Sequence, residues 1–107
     1  MAKAKDRKLI RESVKRYIEA LRKRNIEVVT AYLYGSYAQG KATAWSDIDV
    51  AVLTKKFIGD SFDFKFLLMK IARDIDFNIE PHPFLADEFT EDDPIAAEVI
   101  RTGEKVA

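Results

Sequence analysis

The chain has 107 residues, no cysteine and one histidine, His82. These counts exclude disulfide scaffolds, cysteine-based zinc sites, thiol nucleophiles and any chemistry that needs two imidazoles. The net charge is zero but unevenly spread: residues 1–24 carry ten Lys/Arg against three acids, and the remainder eight against fifteen. That pattern reads as a solvated basic helix on an acidic body, or as a basic face for an acidic partner or a nucleic acid. Ile, Leu, Val and Phe together number 31, enough for one core, and the length predicts a single domain over 1–107. No apolar run approaches the roughly 20 residues of a membrane span, and the basic start leads into a charged helix pattern rather than a signal-peptide core. A cytoplasmic protein is the expectation.

In chain order, Ile10, Val14, Tyr17, Ile18 and Leu21 form an apolar stripe that predicts a helix over 6–24, with Asn25 as its stop. Residues 27–34 (EVVTAYLY) are β-branched and aromatic and end at Gly35, predicting a strand buried on both faces. Ser36 is placed to cap a short helix to about Gly40, followed by a polar loop over 41–46. Residues 47–53 (DIDVAVL) predict a second strand, Phe64, Leu67, Leu68 and Ile71 a helix over 62–74, and 77–84 (FNIEPHPF) a third strand. Pro81 and Pro83 lack N–H groups on one side of that strand, which places it at a sheet edge. A last helix is expected from Pro94 to Gly103. The result is an α/β (α+β) arrangement with a small mixed sheet of three to four strands and flanking helices.

The chemistry concentrates at two points. Asp47 and Asp49 enter an otherwise apolar strand and, at strand periodicity, point to one face with Cα atoms about 6.5–7 Å apart. At an effective dielectric near 20 such carboxylates repel by roughly 2–3 kcal/mol, an arrangement that favours a cation between them. Oxygen donors without His or Cys point to a hard ion, Mg²⁺ or Mn²⁺. The alternative is a solvated strand start. Gly35-Ser36 falls at the turn after the first strand, where a glycine admits a phosphate to the backbone and a helix start offers N–H groups to an anion. The alternative there is a plain helix cap. Together the two elements make a polyphosphate cradle beside a metal site, the parts that phosphoryl and nucleotidyl transfer need.

Gly35-Ser36, ten intervening residues and Asp47-Ile48-Asp49 resemble the signature of the DNA polymerase beta nucleotidyltransferase superfamily. The stretch GSYAQGKATAWSDIDVAVL is most similar to its minimal nucleotidyltransferase branch. The resemblance implies the polymerase beta-like fold and a third carboxylate from a later strand. Asp76 and Glu80 are the candidates. Glu80, in Ile79-Glu80-Pro81, matches the apolar–acid–apolar pattern, whereas Asp76 falls in the turn before the strand. His82 shares the face of Glu80 but, without a His or Cys partner, reads as a polar rim residue. Asp47, Asp49 and Glu80 are thus the expected catalytic and metal-holding residues, and Gly35, Ser36, Lys41 and Ser46 the expected nucleotide-binding ones. Many minimal members carry arginine where this chain has Gln39, so Lys41 is the substitute cation. Trp45, in the polar loop, is a candidate to stack on a base or contact a partner, or packs on its own loop.

The implied reaction is transfer of a nucleoside monophosphate, AMP from ATP, to a hydroxyl with two Mg²⁺ ions (or Mn²⁺). The branch resembles one half of a toxin–antitoxin pair, in which the transferase is the antitoxin and modifies a tyrosine of a helical HEPN-type toxin. A hetero-oligomer with such a toxin is the partner expectation, ahead of direct nucleic-acid binding. The competing readings are a non-catalytic binding antitoxin and a stand-alone transferase acting on a small molecule or RNA.

Overall fold

Asp6 opens the first helix by accepting a hydrogen bond from the Lys8 amide at 2.7 Å. The computed structural model describes residues 6–107; Lys3 and Lys5 of the basic run lie outside the described residues. Helix α1 spans Arg7–Lys23 and buries Ile10, Val14, Tyr17, Ile18 and Leu21, the stripe read from the sequence. Asn25 adopts φ 64°, and the Ile26 and Asn25 amides donate to the Leu21 and Arg22 carbonyls. This is a Schellman stop, in which Asn tolerates the left-handed position and Ile26 and Leu21 are both buried.

Four strands follow: β1 (Val28–Tyr34), β2 (Ile48–Thr54), β3 (Ile79–Leu85) and the two-residue β4 (Glu104–Lys105), in the order β3-β2-β1-β4. β2 lies antiparallel to β1 and parallel to β3, and β4 is antiparallel to β1. The sheet is therefore mixed, and β3 with its two prolines is an edge strand, as expected. Helix α2 (Ser61–Ile75) makes the crossover from β2 to β3, and α3 (Pro94–Thr102) follows a single 3-10 turn at Ala86–Glu88.

The two faces differ. Ile48, Val50 and Val52 of β2, Ala31 and Leu33 of β1 and Ile79 of β3 pack with α1 and α2 in the main core. The Tyr17 hydroxyl, in that core, donates to the Leu68 carbonyl at 2.8 Å and ties α1 to α2. Burial pushes the Tyr17 phenol well above its usual range. On the other face Ala51, Leu53 and Val99 are buried with Tyr32, Tyr34, Phe84 and Phe89 around them.

Several sequence expectations need correction. No helix follows Ser36: residues 35–40 form turns, with single bonds from Gln39 N to Gly35 O and Lys41 N to Ser36 O. Glycines at both ends, with φ of 73° and 72°, turn the chain before a second helical turn can add. β1 is not buried on both faces. A bulge between Val28 and Thr30 leaves Val29 exposed, and beyond it burial alternates, with Tyr32 and Tyr34 half-buried. β3 begins at Ile79 rather than Phe77, because the Asp76 carboxylate and carbonyl accept from the Asn78 and Ile79 amides and hold a turn there. The fourth strand allowed by the sequence is β4, whose place the chain-order reading does not give: Glu104 lies beside Leu33 in the sheet, while its carboxylate pairs with Arg11 at 2.8 Å and Arg7 at 3.5 Å. Part of the basic face of α1 thus meets this acid within the molecule.

Candidate active site

Sheet register assembles the site. Tyr34 of β1 lies opposite Asp49 of β2, and Asp49 lies beside Glu80 of β3. Tyr34, Asp49 and Glu80 therefore form one row across the sheet, at the end where β1 runs out and β2 begins. They stand on the face away from α1 and α2, since Ile48, Val50 and Ile79 take the core side. The next row is Tyr32, Ala51 and His82.

Like charges on adjacent strands repel unless compensated, and each carboxylate here has its own polar neighbour: an imidazole for Asp49 and an ammonium for Glu80. His82 Nε2 stands 3.3 Å from Asp49 Oδ1. Lys65 Nζ, reaching round the sheet edge from α2, stands 3.9 Å from Glu80 Oε1. The Tyr34 phenol is raised far above its ordinary value, first by burial and then by the negative field of Asp49 and Glu80. Its ring lies edge-on to His82, with centroids 5.6 Å apart. The sequence reading singles out neither Tyr34 nor Lys65. Parity with Glu80 is the only sequence signal for His82, and position just before Gly35 the only one for Tyr34.

Gly35 follows Tyr34 directly and has φ 73°. A Cβ built there would sit 2.4 Å from Asp49 Oδ2. Two constraints thus coincide: the left-handed backbone, and a carboxylate lying against the glycine Cα. Asp49 is accordingly held between His82 on one oxygen and Gly35 on the other. Ser36 is half-buried at the start of the turn.

The other predicted residues lie around this centre. Asp47 is exposed and stands one residue before β2. Ser46 closes the loop ahead of it, its hydroxyl accepting from the Thr43 amide at 2.9 Å. Lys41 is exposed, with its amide bonded to Ser36 O at 2.9 Å. Trp45 is 86% exposed; only its backbone is tied down, by the Thr43 hydroxyl. Asp76 is occupied at the end of α2 and lies outside the carboxylate row.

The donor set suits a hard divalent cation: carboxylate oxygens beside a glycine turn, with no thiolate. Among the described residues no three His, Asp or Glu side chains already stand together as a metal-holding group. Glu80 leans to Lys65, and Asp47 lies outside the strand. Two concavities, lined by Asn25–Val29 with Lys55 and by Thr54, Ile58 and Phe64, lie at the opposite end of the sheet, a third lies along α1 beside Leu9, Glu12 and Arg16, and none of the three includes these residues. The side chains of Asp49 and Glu80 are about one-third exposed.

Residues 16–107 match the family model described as "Polymerase beta, Nucleotidyltransferase". The chain belongs to the polymerase beta nucleotidyltransferase family. Its mixed α/β architecture is the polymerase beta-like nucleotidyltransferase fold. Solved structures share it. A chain of a toxin–antitoxin complex with AMP-PNP aligns at TM-score 0.64 and 23% identity, over 91% of this chain and 72% of that one. A chain of a variant MntA–HpeT toxin–antitoxin complex aligns at TM-score 0.61 and 27% identity, over 85% and 68%. A chain of the complex of tri-AMPylated Shewanella oneidensis HEPN toxin with MNT antitoxin aligns at TM-score 0.60 and 20% identity, over 95% and 72%. No curated protein gives a significant sequence match. Among the described residues no helix is long and apolar enough to cross a membrane.

Proposed function

We propose that this nucleotidyltransferase transfers AMP from ATP to a tyrosine hydroxyl of a HEPN-type toxin and acts as its antitoxin. The observation that carries the reading is the register that sets Asp49 beside Glu80 and lays Asp49 against Gly35. It is supported by similarity to chains from complexes described as containing AMP-PNP and an AMPylated HEPN toxin.

Asp47, Asp49 and Glu80 would hold Mg²⁺, or Mn²⁺, which when bound neutralises the triphosphate and acidifies the acceptor hydroxyl. The remaining work falls to the chain itself. Gly35 lets the triphosphate approach the backbone, and Ser36 adds a hydroxyl donor. No helix begins there, so any anion site is made by the turn amides rather than a helix dipole. Lys41, two residues beyond the Gln39 position, supplies positive charge near the triphosphate, and Ser46 acts by holding the loop that delivers Asp47. The Tyr34 phenol, kept protonated, is a neutral donor at the edge of the carboxylate row. An acceptor hydroxyl attacks the α-phosphorus in line, the bond to the bridging oxygen breaks, pyrophosphate leaves, and the acceptor proton passes to a carboxylate or to solvent.

The test is to incubate the chain with ATP, Mg²⁺ and a HEPN-type protein encoded beside it, and to read intact masses. Addition of AMP to the partner supports the reading. Formation of a complex without mass change would make the chain a binding antitoxin instead.

A further inference from the structure

We propose that His82 is the positioning residue that aims Asp49 at the Gly35–Ser36 turn, an inference that rests on the metal-dependent reading above. His82 is not the sheet neighbour of Asp49; that place belongs to Glu80. The residue beside His82 is Ala51, fully buried and with only a methyl group. That methyl leaves the space over which the imidazole leans diagonally to reach Asp49 Oδ1 at 3.3 Å.

The ring has a second neighbour on the same face of the sheet. Tyr34 meets it edge-on at 5.6 Å, and Tyr34 is itself fixed opposite Asp49 by the β1–β2 register. An aspartate with a free χ2 could rotate its carboxylate plane away from the turn. With Oδ1 engaged by Nε2, Oδ2 is the oxygen left against Gly35. His82 thus acts on the carboxylate rather than on substrate, in the way that groups outside a coordination shell orient metal-bound carboxylates. The side chains of both partners are about one-third exposed, so the contact contributes little to stability on its own. Its consequence lies in direction.

The experiment uses the full chain without nucleotide or partner, with Mn²⁺ as probe, its binding followed by electron paramagnetic resonance, and melting temperature measured in parallel. His82→Leu removes the donor, and His82→Gln returns an amide N–H at a similar reach. His82→Leu is expected to weaken Mn²⁺ binding by about 10-fold or more, the scale for loss of an orienting group, with His82→Gln recovering most of it. Both variants should melt close to the unsubstituted protein. Undiminished Mn²⁺ binding in His82→Leu, or no recovery in a folded His82→Gln, overturns the inference while leaving the metal site standing, provided Asp49→Asn abolishes binding. If the unsubstituted chain binds no Mn²⁺, the metal reading itself falls and this inference with it.

Discussion

Substituting Gly35 with alanine separates backbone strain from damage to the site, because the chain contains its own control. Gly35 and Gly40 have nearly the same φ, 73° and 72°. A side chain in the left-handed region costs about 1–2 kcal/mol, so each alanine variant should lose a similar amount of stability to this strain. For a domain of this size that is a fall in melting temperature of roughly 4–8 °C per kcal/mol. The surroundings differ completely. A Cβ at Gly40 meets nothing within 4 Å, whereas at Gly35 it falls 2.4 Å from Asp49 Oδ2. That carboxylate must retreat by several tenths of an ångström or rotate off His82, and misplacement on the order of 1 Å at a reacting centre costs about 10²-fold in rate. Thermal melting and Mg²⁺-dependent transfer, measured on both variants, should therefore show a shared loss of stability from backbone strain, with any further loss in Gly35→Ala coming from the displaced Asp49 carboxylate. Only Gly35→Ala should lose transfer, by about two orders of magnitude. Equal activity in the two variants would refute the claim that contact with Gly35 sets the working position of Asp49.

Other variants probe separate parts of the account. Glu80→Gln should cut turnover strongly while sparing much of the nucleotide binding, and Asp76→Asn should leave turnover nearly unchanged, since Asn keeps the oxygen that accepts from the Asn78 amide; the reverse outcome in steady-state kinetics would dismiss Glu80 as the third carboxylate. Asp47→Asn with Asp49→Asn should abolish transfer but melt no lower, because the change relieves repulsion with Glu80; a large fall in melting temperature would assign the pair a structural role. Tyr17→Phe should cost about 1 kcal/mol at neutral pH for the lost bond to Leu68 O. Because the folded protein holds the Tyr17 proton more tightly than the unfolded chain, stability should fall as pH rises above the unfolded phenol's value near 10. Chemical denaturation from pH 8 to 11 should show that part of the slope disappear in Tyr17→Phe.

The fold was largely legible because its signals are local. The α1 stripe, the Asn25 stop, the all-apolar centre of β2 and the paired prolines of β3 each state their environment within a few residues. Parity alone puts Asp49 and Glu80 on alternating positions of their strands, and a parallel pairing suffices to bring them side by side. What escaped the sequence depends on contacts distant in the chain. The bulge at Val29 is set by pairing with Leu53 and Thr54. β4 exists because Glu104 and Lys105 find the free edge of β1 and the basic residues of α1. His82 and Lys65 were invisible as partners of the carboxylates, since a diagonal contact across two strands and a reach around a sheet edge leave no periodic trace. Serine after glycine signalled a cap, but two left-handed glycines close the segment before a helix can form.

The most direct measurement is intact-mass analysis of a co-purified HEPN-type partner after incubation with this chain, ATP and Mg²⁺. The account predicts a mass increase by whole AMP units on the partner, absent without Mg²⁺ and absent with the Asp47→Asn, Asp49→Asn double variant. An unmodified partner in a stable complex, under conditions where the chain binds Mg²⁺ and ATP, would contradict it.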